Sequence, residues 1–228
     1  MKIQFLWHSF FKISFKGINL LVDPFMNMPE GDMTFQTCMK CPASINKLKN
    51  IGAICISNEH FDHFDKKVVE TIANRDSSTV IGHESVLNEL NIASNLKHFV
   101  KVGDKVNIQG VLIEVRGAHY PNSFYPLGFC FSKDGEKVFF AGNSALMDSF
   151  SSIDCDVALL PIGGSSTMDL IDAVRATKTM KPKYAIPMHY NSFDSIKADP
   201  NEFKSRIEKS ILKTIPIILK PGQTFKTK

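Results

Sequence analysis

The stretch Ser57-Asn58-Glu59-His60-Phe61-Asp62-His63 follows the apolar run Ile51 to Ile56. Two histidines and a carboxylate fall within four residues, at the end of what reads as a buried strand. That is a metal-ligand set on a rigid base. A chain built this way needs a sheet whose strand ends open into polar loops, and further ligands should recur in those loops.

The rest of the chain supplies such strands. Ile3 to Trp7, Phe11 to Phe15 and Ile18 to Val22 are short and rich in β-branched and aromatic residues, and predict an antiparallel meander. Lys16-Gly17 turns the chain between two of them, and Asp23-Pro24 ends the third. Residues 26–42 hold methionine, proline and glycine without a period and predict a long loop. A helix is expected from about Asp65, a cap, through Val68, Val69 and Ile72. Strands are expected at Thr79 to Ile81, Val106 to Ile108, Val111 to Arg116, Gly128 to Phe131, Val138 to Ala141 and Val157 to Leu160. A helix starting near Ser166 or Thr167 carries Leu170, Ala173, Val174, Thr177 and Met180 on one face. Strand Tyr184 to Pro187, a helix over Pro200 to Leu212 and strand Ile215 to Leu219 complete the pattern. No proline- or serine-rich linker divides the 228 residues, so one domain over 1–228 is expected, with two sheets covered by helices outside.

Composition narrows the function classes. The net charge of +4 comes from scattered lysines without a basic arm, which gives nucleic-acid binding no specific support. No run approaches a membrane-spanning length, and the first residues lack a signal-peptide layout. A cytoplasmic protein with a small-molecule substrate is the expectation. Five cysteines without that layout argue against a disulfide framework. Cys55 and Cys130 lie in strand-like runs and read as buried thiols, while Cys38-Met39-Lys40-Cys41 reads as a coincidental pair in a loop. His83 and His98 read as surface residues, and Gly163-Gly164 as a tight turn.

Ligand-type residues do recur at strand ends. His8 follows the first strand, His119 follows Val111 to Arg116, Asn143 follows Val138 to Ala141, and His189 follows Tyr184 to Pro187. Any one of these histidines alone would more often be a satisfied core or surface residue.

The order resembles the metallo-β-lactamase superfamily, which carries a Thr-His-x-His-x-Asp-His loop, a lone histidine, Gly-Asp-Thr and a final histidine. It is similar in particular to the small metal-dependent hydrolases that include ascorbate-6-phosphate lactonase-like proteins. His8-Ser9, Val22-Asp23-Pro24-Phe25, Leu159 to Gly164 followed by Thr167-Met168, and Pro187 to Asn191 carry that narrower likeness. It runs from residue 3 to about residue 225. The resemblance implies an α+β fold, an αββα four-layer sandwich, with a dinuclear site at the sheet edges. It implies a first metal at Asn58, His60 and His119, a second at Asp62, His63 and His189, and a bridge at Asn143.

Two of those positions depart from the pattern: Asn58 replaces a histidine and Asn143 replaces an aspartate. A neutral amide oxygen is a weak ligand for zinc. With Asp62 as the one remaining carboxylate, two divalent ions would leave excess positive charge in a cleft of low dielectric. One ion at Asp62, His63 and His189 is therefore expected. Zinc is the first expectation, and manganese and iron also suit these donors. The activity implied is hydrolysis of an ester, lactone or phosphoester. Asn143 would orient the attacking water, and His8, His60 and His119 would be free to act as base, acid or oxyanion donor. A second reading stands beside it, in which Asn58 and Asn143 are relics of an abandoned site and the protein silently binds a small anion or a partner. Asp23, before Pro24, reads as a turn cap or as a supporting group near the metal.

Overall fold

Buried and half-buried residues alternate in antiparallel strands such as Phe10–Phe15 and Val111–Gly117, whereas parallel strands such as Val157–Pro161 and Tyr184–Met188 are near-continuous buried runs covered on both faces. The computed structural model describes residues 1–28 and 41–227. Most of the expected loop 26–42, with Cys38, lies outside the described residues. In chain order the elements are β1 (Lys2–Trp7), β2 (Phe10–Phe15), β3 (Ile18–Val22), β4 (Ile51–Cys55), α1 (Lys66–Asp76), β5 (Thr79–Gly82), α2 (Glu84–Leu87) and β6 (Lys97–Phe99). There follow β7 (Lys105–Ile108), β8 (Val111–Gly117), β9 (Leu127–Lys133), β10 (Glu136–Phe140), β11 (Val157–Pro161), α3 (Leu170–Met180), β12 (Tyr184–Met188), α4 (Pro200–Glu208), β13 (Ile215–Pro216) and β14 (Thr224–Lys226).

Two mixed sheets result, in the orders β14-β1-β2-β3-β4-β5-β6 and β13-β12-β11-β10-β9-β8-β7. The expected meander is present: β1, β2 and β3 pair antiparallel, and β3, β4, β5 and β6 then run parallel. In the second sheet β10, β11, β12 and β13 run parallel. The fold is α+β, a pair of sheets with helices outside, as the metallo-β-lactamase likeness implied.

The layers follow from which face each side chain takes. In the first sheet Phe5, Phe11, Ile13, Leu20, Val22 and Cys55 share one large cluster with Val115, Phe129, Phe131 and Phe140 of the second. Phe11 of β2 meets Phe140 of β10 edge-on, with ring centres 6.3 Å apart, across the gap between the sheets. The opposite face of the first sheet presents Leu21, Ile54 and Val80 to Val68, Val69, Ile72 and Ala73 of α1. Asp65 caps α1 by accepting from Val68 N, and Ser77 in the left-handed region ends it.

Three boundaries differ from the sequence reading by three residues or more. Ser165 and Ser166 have φ of 55° and 71°, which no α-helix tolerates, so α3 begins at Leu170 with Asp169 as its cap. Helix α4 stops at Glu208 instead of reaching Leu212. The last expected strand shrinks to the two residues of β13 at the sheet edge, where Pro216 brings no N–H to the ladder. Strands β6 and β14 and the four-residue α2 were not read from the sequence, because three or four residues are too few to show a period. Cys55 is buried as expected, whereas Cys130 is half-buried.

Phe140→Ala removes a fully buried ring from the layer between the sheets. It should cost about 3–5 kcal/mol of stability, read from urea unfolding midpoints.

Candidate metal centre

The carboxyl ends of β1, β3, β4, β10 and β12 meet at one rim, and each hands a polar residue to it. Three of those residues hold left-handed backbone conformations: His8 (φ 54°), Asp23 (φ 47°) and His189 (φ 54°). Each such residue costs on the order of 1–2 kcal/mol unless its surroundings fix it. Hydrogen bonds do so. Asp23 N donates to Cys55 O at 2.9 Å, and His189 N donates to His8 O at 3.0 Å. The second bond ties the end of β12 to the end of β1, one strand from each sheet. Gly163 permits this approach, since a Cβ there would stand 2.3 Å from His189 O.

At this rim the structure brings His8, Asp62, His63 and His189 together, with one donor atom from each lying within 4.8 Å of the others. Asp62 Oδ2 stands 3.1 Å from His8 Nε2, 3.8 Å from His63 Nε2 and 3.7 Å from His189 Nε2. The group is enclosed: His8, His63 and His189 are buried, and the Asp62 side chain is 15% exposed.

Asp23 sits beneath this group, fully buried. Its Oδ1 accepts from Ser57 N at 2.7 Å, and its Oδ2 accepts from Ser57 Oγ at 2.6 Å and from His63 Nδ1 at 2.6 Å. Donation through Nδ1 fixes the His63 tautomer and leaves the Nε2 lone pair facing the centre. Ser192 Oγ lies 2.5 Å from His8 Nδ1. Aromatic rings floor the site. Trp7 stacks on Phe25 at 4.7 Å, and Phe25 and Phe193 meet the His8 ring edge-on at 5.9 Å and 5.4 Å.

The electrostatics follow from enclosure and crowding. Burial, helped by the neighbouring His189, pushes His8 down to about 3. Burial also lowers His189. Burial alone would lower His63 too, but the carboxylates of Asp62 and Asp23 outweigh it and raise it. Burial would raise Asp62, yet His63 and the contacts with His189 and His8 hold it well below the usual carboxylate range.

Asp62 Oδ1, His63 Nε2 and both ring nitrogens of His189 are buried without any hydrogen-bond partner among the described residues. A buried polar atom left alone costs about 1–3 kcal/mol. His63 Nε2 and His189 Nε2, both beside the Asp62 carboxylate, fit a divalent cation, which would satisfy them together. Asn143 Oδ1 is a further buried, unpartnered atom, and its side chain faces His63.

The beta-lactamase superfamily domain profile matches residues 2–189. A UPF0173 metal-dependent hydrolase of Staphylothermus marinus is 33% identical over 98% of this chain and 97% of its own length. One of Carboxydothermus hydrogenoformans is 34% identical, over 90% and 92%. Among solved structures Igni18, a metallo hydrolase of Ignicoccus hospitalis, superposes with a TM-score of 0.83 at 27% identity over 100% of this chain and 99% of its own.

The chain belongs to the metallo-β-lactamase superfamily.

Measured against the superfamily's ligand order, the seven expected positions divide. Asp62, His63 and His189 converge, with Asn143 beside His63. Among the described residues, the donor group includes neither His60 nor His119. His60 Nε2 lies 2.7 Å from Asn122 O, and the His119 side chain is exposed. Asn58 is buried with both ends engaged: Oδ1 accepts from His60 N and Nδ2 donates to Ser57 Oγ, each at 3.0 Å. Glu59, whose direction the sequence leaves open, accepts from Phe124 N at 2.7 Å and Ser123 Oγ at 2.8 Å. The sequence reading missed Ser192 altogether, and a serine two residues beyond a helix-free Met-His-Tyr turn carries no signal of its own. His83 is half-buried instead of a plain surface residue: it caps α2 and stacks on Tyr125 at 4.0 Å.

Asp23→Asn takes away the acceptor that sets the His63 tautomer, so Zn²⁺ affinity should fall about 10–100-fold, read by competition with a chelating dye. Affinity equal to that of the unaltered protein would contradict the arrangement. In the unaltered protein the same assay should show Zn²⁺ affinity falling as pH drops through 7. His63 has its proton affinity raised above the ordinary 6.5 and must lose a proton to bind the ion.

Proposed function

We propose that this protein is a hydrolase of small esters, lactones or phosphoesters that works with one divalent ion, zinc first, held by Asp62, His63 and His189. The carrying observation is the convergence of the Asp62 carboxylate with the buried Nε2 atoms of His63 and His189, which have no hydrogen-bond partner among the described residues. Close relatives named metal-dependent hydrolases support the class of reaction.

One ion is favoured over two by what surrounds the first half of the superfamily's site. The Asn58 amide is spent within its own loop, and His60 engages the 119–126 segment. Charge points the same way. Asp62 and the buried Asp23 carboxylate balance one divalent ion, and among the described residues no third buried carboxylate stands at the centre to balance a second.

A divalent ion in this place supplies Lewis acidity to a scissile carbonyl or phosphoryl group and lowers the pKa of water toward neutrality. The chain's own residues do the rest. Asn143 Oδ1 is an acceptor without a hydrogen of its own, so it can take one hydrogen bond from the attacking water and turn its lone pair toward the substrate. Asp23 holds His63 in one tautomer, and the Trp7, Phe25 and Phe193 rings keep bulk water from the floor. Substrate reaches the centre from the Asp62 side, its most exposed member. The segment 120–126 borders that approach, with Phe124 77% exposed.

Protein loaded with Zn²⁺ should carry about one ion per chain by elemental analysis and hydrolyse at least one member of a panel of aryl esters, lactones and phosphodiesters. His63→Ala and His189→Ala should each reduce turnover at least about 100-fold. A loaded protein inert to the whole panel would return the silent binding reading, and activity untouched by both substitutions would place the chemistry elsewhere.

A further inference from the structure

We propose that His8 is a fourth protein ligand of the ion, so that three histidines and one carboxylate would hold the resting ion and water would enter by expansion to a fifth position. This rests on the reading of Asp62, His63 and His189 as a metal centre.

The distances carry it. Zinc bonds of about 2.0–2.2 Å at tetrahedral angles separate neighbouring ligand atoms by roughly 3.3 Å. The separations from Asp62 Oδ2 to the three Nε2 atoms are 3.1, 3.8 and 3.7 Å, and they bracket that value, with His8 the nearest of the three. His8 is also fixed as a ligand is fixed. Its ring is fully enclosed, its backbone is held in the left-handed region, and its carbonyl accepts from His189 N, another member of the set.

The outer contacts repeat the same design. Asp23 takes the Nδ1–H of His63 and frees Nε2 for the centre. Ser192 Oγ stands at Nδ1 of His8, where its hydroxyl can donate or accept; with an ion present it would accept the Nδ1–H, and Nε2, here in hydrogen-bond contact with Asp62 Oδ2 at 3.1 Å, would turn its lone pair to the ion. A proton-shuttling base, the role expected of His8 from the sequence, has to exchange its proton with water. The His8 side chain has no exposed surface through which to do so.

The test uses the whole protein at one fixed pH, with Zn²⁺ affinity read by dye competition and coordination read from the visible spectrum of bound Co²⁺. Unaltered protein should give the intense band of four-coordinate cobalt. His8→Asn keeps a residue type that accepts the left-handed backbone. It should weaken Zn²⁺ binding about 100-fold or more and replace that band with the weak one of a water-filled, higher-coordinate site. Ser192→Ala should keep the band and cost about tenfold in affinity. A His8→Asn protein that retains both affinity and band overturns the proposal. Should His8→Asn fail to fold by circular dichroism, Ser192→Ala decides, and unchanged affinity there overturns it. Failure of the unaltered protein to bind either ion would instead remove the metal-centre reading itself.

Discussion

The buried carboxylate of Asp23 is the group on which the rim depends. A carboxylate without exposed surface is costly unless hydrogen bonds replace its water. Here three donors do so, two from Ser57 and one from His63. Those bonds join the end of β3 to the loop after β4, which is the loop that carries Asp62. They also aim one imidazole, so a single side chain fixes both the shape of the loop and the direction of His63 Nε2. The left-handed backbone at Asp23 is part of this: an extended residue would carry the carboxylate out along the strand instead of turning it under the loop.

Sheet architecture explains why a site can form here at all. Parallel strands present their carboxyl ends together, and both sheets do so on the same side of the molecule. The His189 N to His8 O bond then fastens one sheet's rim to the other's. Beneath it the Trp7, Phe25 and Phe193 rings form a small apolar cluster distinct from the two larger cores. That cluster keeps the donors dry, and the same dryness leaves their unpartnered atoms costly without a cation. The layered core can be altered in many ways without touching this arrangement, since its large phenylalanines lie between the sheets and not at their ends.

The fold was largely legible in the sequence because period is a local property. Strands β1 to β3 are short runs rich in β-branched and aromatic residues, and α1 and α3 carry their apolar residues at helical spacing, so each could be placed within a few residues. Errors fell where backbone conformation, not period, sets the boundary: at Ser165 and Ser166, and at Pro216. At the rim the sequence marked the right loops but could not show side-chain direction. His60 and His63 are three residues apart in one loop, yet one faces Asn122 and the other the centre. Nothing in their spacing separates them. Ser192 had no signal, because its part is defined wholly by a residue 184 positions away.

The two asparagines have different consequences. Asn143 keeps an acceptor oxygen in the centre, so exchanging a carboxylate for an amide there removes charge but not contact. Asn58 has turned inward, accepting from His60 N and donating to Ser57 Oγ. Its amide fixes the backbone of His60, and His60 with Glu59 then holds residues 122–124. The half of the site that binds metal in the superfamily's pattern thus serves here as a brace for the segment beside the centre.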